Sequence, residues 1–274
     1  MLKKVENGAR AGVHQPPQSS AQARVPTGAA DAGLPRSAGG FGGCQAQFAN
    51  GTPPVVKDLA KRSPRALCFN GFAVMHSGTT KTPIYVAEVL SRSRLENARG
   101  EERTDKFFAD ARLPSAERAT LRDYVGSGFD RGHHSPAGDQ EDPESMAQSF
   151  SLANMMPQAP QNNRKAWAGI EKSTRKYVLR AQGNVYVITG SLLVPGQCPK
   201  YDVSLFKLSG TCQIGNGVTV PSHIYKLVYD ATTHRAWAHW IENTDTARIT
   251  APITYDELVR RTGIEFLPGI RPNS

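Results

Sequence analysis

Apolar positions along the 274-residue chain fall into two periods, and they begin late. Residues 1–40 hold no aromatic residue and no isoleucine and are rich in Gly, Pro, Ala, Ser and Gln. Such a stretch buries too little surface to offset its ordering entropy, so it is expected to be a disordered basic tail, with one domain over residues 41–274. Alternation of apolar residues predicts strands at Pro83–Leu90, Asn184–Thr189, Thr219–Tyr229 and Arg235–Ile241, the last two joined by a hairpin at Asp230–His234. Helical signals fall between them. Ser115–Val125 reads as a short helix, and Asp142 followed by Pro143 marks the cap and first turn of another, ending near Ser149. Asn162 or Asn163 can cap a long helix running to about Arg180, with Gly183 as its stop. Thr254 caps a last helix, Tyr255–Thr262, that stops at Gly263. Strands in runs with helices inserted predict an α+β fold, a largely antiparallel central β-sheet flanked by helices.

Charge and cysteine usage narrow the picture. Lys and Arg number 33 against 24 Asp and Glu, a net charge of +9, which favours polyanionic partners. The long helix concentrates this charge, since Arg164, Lys165, Lys172, Arg175, Lys176 and Arg180 are opposed only by Glu171. No stretch approaches the roughly 20 apolar residues of a membrane span, so no membrane partner is expected. The four cysteines show no CxxC spacing, which argues against a zinc knuckle or thioredoxin-type site. Disulfides Cys44–Cys68 and Cys198–Cys212 are expected because each closes a short local loop, against the alternative of four unpaired thiols. Paired cysteines imply an oxidising compartment, periplasmic or secreted. Lys3 and Lys4 would suit the start of a signal peptide, yet no apolar run follows Val5-Glu6-Asn7-Gly8.

The candidate chemistry sits in Gly128-Phe-Asp130-Arg131-Gly132-His133-His134-Ser-Pro136, which packs a histidine, an arginine and permissive glycines into nine residues. Asn154-Met-Met-Pro-Gln158 follows, and then Asn163-Arg-Lys-Ala-Trp167-Ala-Gly-Ile-Glu171. Phosphodiester hydrolysis needs an activated water, neutralisation of phosphoryl charge and help for the leaving oxygen. A histidine is substantially neutral at pH 7 and can take a proton from water. Arginine offers phosphate a planar fork of donors. An amide oxygen is a hard donor suited to Mg²⁺. Eight positions advance a helix by roughly 80° beyond two turns, which leaves residues 163 and 171 on adjoining faces.

These three ordered motifs resemble the DNA/RNA non-specific endonucleases of the endonuclease G type, over about residues 70 to 270. The resemblance implies a ββα-metal active site and an Mg²⁺-dependent enzyme, with Mn²⁺ as a substitute, that cuts DNA and RNA and leaves 5′-phosphate ends. It implies His133 as general base, Arg131 and an upstream arginine as transition-state donors, Asn163 as metal ligand and Glu171 as the group orienting the hydrated ion. Arg103 is the best positional match for the upstream arginine, with Arg99 and Arg112 competing; Asn162 competes with Asn163. Asp130 and Asn154 fall in supporting positions, and His134 and Trp167 in structural ones. Arg164, Lys165, Lys172 and Arg175 form the expected nucleic-acid track. Each has a structural alternative: a backbone-satisfying histidine at 133, a salt bridge between Glu171 and Arg175, a turn asparagine at 154. A homodimer and an inhibitor protein are partners left open. The rival function is a non-catalytic nucleic-acid-binding protein; a secreted toxin or scavenging nuclease would share the same chemistry.

Overall fold

A computed structural model describes residues 40–199 and 212–273, so the expected tail over residues 1–40 lies outside the described residues but for Gly40. A seven-stranded sheet dominates. Its strands run, edge to edge, Ile253–Thr254, Arg235–Glu242, His223–Asp230, Val185–Leu192, Thr82–Leu90, Ala73–Ser77 and Pro64–Cys68. Every neighbouring pair is antiparallel, as the sequence predicts.

The period-two pattern sorts side chains onto two buried faces. On one face Tyr85, Tyr225, Leu227 and Tyr229 pack with Phe41, Phe48, Leu258 and Phe266. On the other, Leu90, Val185, Val187 and Val228 meet Val178, and Ile224 and Ile241 meet Trp167 and Ile170. That second face carries the long helix. Because both faces are covered, polar residues in these strands are buried too, and Glu88 and Lys226 are each 1% exposed.

The expected helices at Pro143–Ser149 and Tyr255–Thr262 are present with their caps: Asp142 accepts from the Ser145 amide and Thr254 from the Glu257 amide. Gly263 closes the latter at φ 68°. Other boundaries move. The helix expected over Ser115–Val125 shrinks to Leu121–Tyr124, because Asp123 bonds back to the Thr120 amide and starts the helix there. Neither Asn162 nor Asn163 caps the long helix. Helical geometry begins at Pro160, whose missing N–H costs nothing in a first turn, and then passes through a π-helical stretch, Asn162–Trp167, into the α-helix Ala168–Val178. Gly183 is not its stop. A Cβ there would meet the Thr232 hydroxyl at 2.5 Å, so the glycine permits close packing of the loop. The strand expected from Thr219 starts instead at His223, because Pro221 breaks the ladder and Val218–Thr219 pairs with Gln213–Ile214.

Both expected disulfides form, Cys44–Cys68 and Cys198–Cys212. Each stabilises the fold by about 3 kcal/mol in the chain-entropy picture.

Candidate active site

Two strands and the long helix build the site. Asp130–His133 pairs antiparallel with Met155–Gln158, with Arg131 opposite Pro157 and His133 opposite Met155. The chain turns at Ala159 and enters the helix, completing a ββα unit. Gly132 is required by packing: a Cβ at that position would sit 2.0 Å from Gln158 Oε1. Gln158 in turn donates to Asn162 Oδ1 at 2.7 Å, and the Asn162 amide donates to the Glu242 carbonyl at 2.7 Å. Both ends of the Asn162 amide are therefore occupied in the core.

Asn163 is placed differently. Its Nδ2 donates to Asp130 Oδ2 at 2.9 Å, and a carboxylate can only accept, so the amide nitrogen is fixed on Asp130 and Oδ1 is its unengaged end. Arg164 clamps the same carboxylate with Nε and Nη2 at 2.9 and 2.7 Å. Asp130, Arg131, Asn163 and Arg164 line one cavity of about 500 Å³ together with Arg103. The competitors for Arg103 are elsewhere. Arg112 is tied to Asp110 and the Cys68 carbonyl, and Arg99 does not line the cavity.

His133 lies against this cavity through Phe107, whose ring is 5.8 Å from the imidazole and lines the cavity wall. Phe150 meets the same imidazole edge-on at 5.1 Å. The two rings also carry the arginines: Arg131 sits 4.1 Å over Phe107 and Arg103 5.0 Å over Phe150. Burial, and then the nearby charges of Arg103, His134 and Arg131, push the His133 pKa down to about 3, so the ring is neutral at pH 7. Nε2 is enclosed without a hydrogen-bond partner.

Asn154 and His134 fix the segment after His133. The Asn154 side chain accepts from the Ser135 amide and donates to the Ser135 and Ser149 carbonyls, all at 2.9 Å. The His134 ring is fully buried, with Nδ1 3.1 Å from the Asn154 carbonyl and Nε2 3.3 Å from Ser191 Oγ.

Glu171 lies one helix stretch beyond. Burial raises its pKa to about 7, against the pull of Lys226, Arg175 and Arg103 and with help from Asp139. Its expected alternative partner, Arg175, turns to Asp139 instead, at 2.9 Å. Arg175 is therefore half-buried in an ion pair, unlike Arg164, Lys165 and Lys172, which are exposed on the helix.

The sequence and the architecture match one family. Residues 55–273 fit the DNA/RNA non-specific endonuclease family. The chain belongs to that family. It is 35% identical to Nuclease C1 of Cunninghamella echinulata var. echinulata over 80% of this chain and 84% of that one. With the mitochondrial endonuclease G of Homo sapiens the identity is 33% over 79% of this chain and 72% of that one. Among solved structures, a crystal structure of an EndoG/EndoGI complex, concerned with EndoG inhibition, superposes with a TM-score of 0.64 at 26% identity, covering 76% of this chain and 87% of that one. The protein is thus an endonuclease, a hydrolase.

Sequence reasoning about this endonuclease missed the aromatic supports, Phe107 and Phe150, and the charged floor. Lys226 is enclosed beneath the helix, donating to Thr189 Oγ1 at 2.6 Å and lying 5.5 Å from the centre of the Trp167 ring. Glu88 accepts from Ser135 Oγ at 2.7 Å, and burial raises its pKa. A signal for both was present: each is a charge inside an otherwise apolar strand pattern. Nothing in the sequence marks Phe107.

Proposed function

We propose that this endonuclease hydrolyses phosphodiester bonds in both DNA and RNA with little sequence specificity, using His133 as general base. The observation that supports it most is Asn163, held by Asp130 so that an unengaged amide oxygen shares a cavity with Arg103 and Arg131.

Neutral at pH 7, His133 takes a proton from the attacking water. Enclosure of Nε2 leaves Nδ1 for that task. A base with a pKa near 3 is weak, but part of what lowers it is the positive charge of Arg103 and Arg131, the former paired with Asp105 at 2.6 Å. Bound phosphodiester brings negative charge to those arginines and draws the pKa back towards the range where proton transfer is efficient. Arg131 and Arg103, braced on their rings, donate to the non-bridging oxygens as charge grows there. The 3′ oxygen departs and the phosphate stays on the 5′ side.

Among the described residues no group of three or more His, Cys, Asp or Glu could hold a metal ion. A hydrated Mg²⁺ fits such a site, because it keeps most of its waters and needs only one or two hard oxygen ligands. Asn163 Oδ1 would bind it, or Mn²⁺ in its place, and Glu171 would reach it through water. Bound there, the ion would neutralise phosphoryl charge and favour departure of the leaving oxygen. The two disulfides support an oxidising compartment, periplasmic or secreted. The likeness to an inhibited EndoG supports an inhibitor protein as a partner.

The deciding experiment is incubation of the protein and of His133→Ala with supercoiled plasmid and with RNA, with and without EDTA. The wild type should cut both, EDTA should stop it, and the variant should retain the nucleic acid while losing at least about a hundredfold in rate. Retention without cutting by the wild type would make the chain a non-catalytic binding protein. Wild-type turnover by His133→Ala would remove the base from its role.

A further inference from the structure

The cavity lined by Asn163 and the arginines also carries a second chemistry. Besides its arginines it is lined by Leu121, Tyr124, Val125 and Phe129. Val125 is 79% exposed and Leu121 43%, and they are two of only four exposed large apolar side chains among the described residues. Exposed aliphatic groups gathered at one cleft mark a binding surface more often than scattered ones do.

This wall is firmly backed. Tyr124 and Phe129 belong to a buried cluster with Leu152, Met155, Val218 and Val220. The turn that presents Leu121 and Val125 is held at its start by Asp123, which accepts from the Thr120 amide at 2.7 Å and, across the fold, from the Asn216 amide at 2.7 Å. Gly126 and Gly128, at φ 66° and 80°, bring the chain directly from Val125 back into the strand that carries Arg131 and His133.

The cavity therefore offers guanidinium groups and exposed aliphatic groups together, at about 500 Å³, the size range of pockets that enclose small organic ligands. A bare phosphate would use the guanidinium groups only. A nucleotide uses both, with its phosphate on the arginines and its base and sugar on the apolar face.

We propose that Leu121 and Val125 form a nucleoside subsite, packing against the base of a nucleotide adjoining the scissile phosphate. The inference rests on the nuclease reading above and adds to it a substrate form. An aliphatic face has no donors or acceptors, so it takes any base, and low sequence specificity follows. A base lying on this wall has left its stack, so strands that are single or easily unstacked are cut faster than regular duplex.

The test compares two single-stranded oligonucleotides of equal length, one of thymidines and one of abasic tetrahydrofuran units, with wild type and with the Leu121→Ser/Val125→Ser variant. Both side chains are exposed, so the variant should fold, and its melting temperature checks this. The wild type should cut the thymidine strand with a kcat/KM about tenfold or more above the abasic strand, the scale of burying one exposed aliphatic side chain. The variant should lose most of that preference by slowing on the thymidine strand. Equal rates of the wild type on both strands would overturn the subsite, as would a variant that keeps the full preference. Failure of the wild type to cut either strand would instead count against the nuclease reading.

Discussion

His133 and His134 are neighbours with opposite duties. The first adjoins the cavity, and the second is a core group whose ring lies beside the Asn154 carbonyl and Ser191. Burial, and then the charge of Lys226, bring the His134 pKa down to about 3 from the ordinary 6.5. The folded value lies below the unfolded one, so as pH falls the unfolded chain takes up the proton first. Stability from a neutral His134 is therefore present above pH 6.5 and is lost between about 6.5 and 3, at about 1.4 kcal/mol per pH unit. Glu88 and Glu171, with raised values, act in the opposite direction and mask part of this loss. Comparing urea unfolding of the wild type with His134→Gln isolates the histidine: the variant's stability relative to the wild type should improve by about that slope as pH falls. Parallel curves would show that the ring titrates normally. At this scale the motif spacing singled out Arg131 and Asn163, which line one cavity, and His133, which packs on Phe107 in its wall, whereas Glu171 is not among the lining residues. Spacing from Asn154-Met-Met-Pro157-Gln158 favours Asn163 over Asn162 only weakly in sequence; what distinguishes them physically is the pair of contacts made by Asn162, to Gln158 and to the Glu242 carbonyl, the latter brought close only by the sheet.

Between elements, the critical link is Asp130 on a strand holding Asn163 on the helix. The groups that orient a metal ligand typically govern metal affinity by about 10–100-fold. Asp130→Ala should therefore raise the Mg²⁺ concentration for half-maximal plasmid cleavage by about tenfold or more. Arg164→Ala is the control, because it removes the ion pair with Asp130 and leaves the Asn163 bond in place. If Arg164→Ala raised the requirement as much, local charge would explain the effect and the orientation of Asn163 would not. Strand and helix existence was readable at this scale wherever alternation or capping residues are strong, as at Thr82–Leu90 and Tyr255–Thr262. Boundaries failed where tertiary contacts override local signals. Gly183 resembles a helix stop, yet it serves the approach of Thr232, and Asn163 resembles a cap, yet it sits inside a π-helical stretch. Such stretches often occur at functional sites, where an inserted residue redirects a side chain.

Across the whole molecule, the positive charge expected from composition is not one undivided surface. Arg175 is spent on Asp139 and Arg94 is enclosed, donating to the carbonyls of Gly71, Val89 and Asp139. Arg164, Lys165 and Lys172 remain exposed on the helix that follows the site hairpin, with Arg164 shared by Asp130. Counting basic residues therefore overstates the track, and the difference is measurable through salt. A phosphate contact made by a lysine releases counterions, and each contributes about 0.9 to the slope of log affinity against log salt on duplex DNA. Replacing Lys165 and Lys172 together by Ala, in a His133→Ala background expected to slow cutting on the proposed role of that residue, should reduce that slope by about 2 and weaken binding evenly across sequences. Arg175→Ala in the same background should leave the slope unchanged while lowering the melting temperature, because it strands Asp139, which is 3% exposed, without its partner. An unchanged slope in the double lysine variant would place the nucleic acid off this helix face and on the cavity arginines alone.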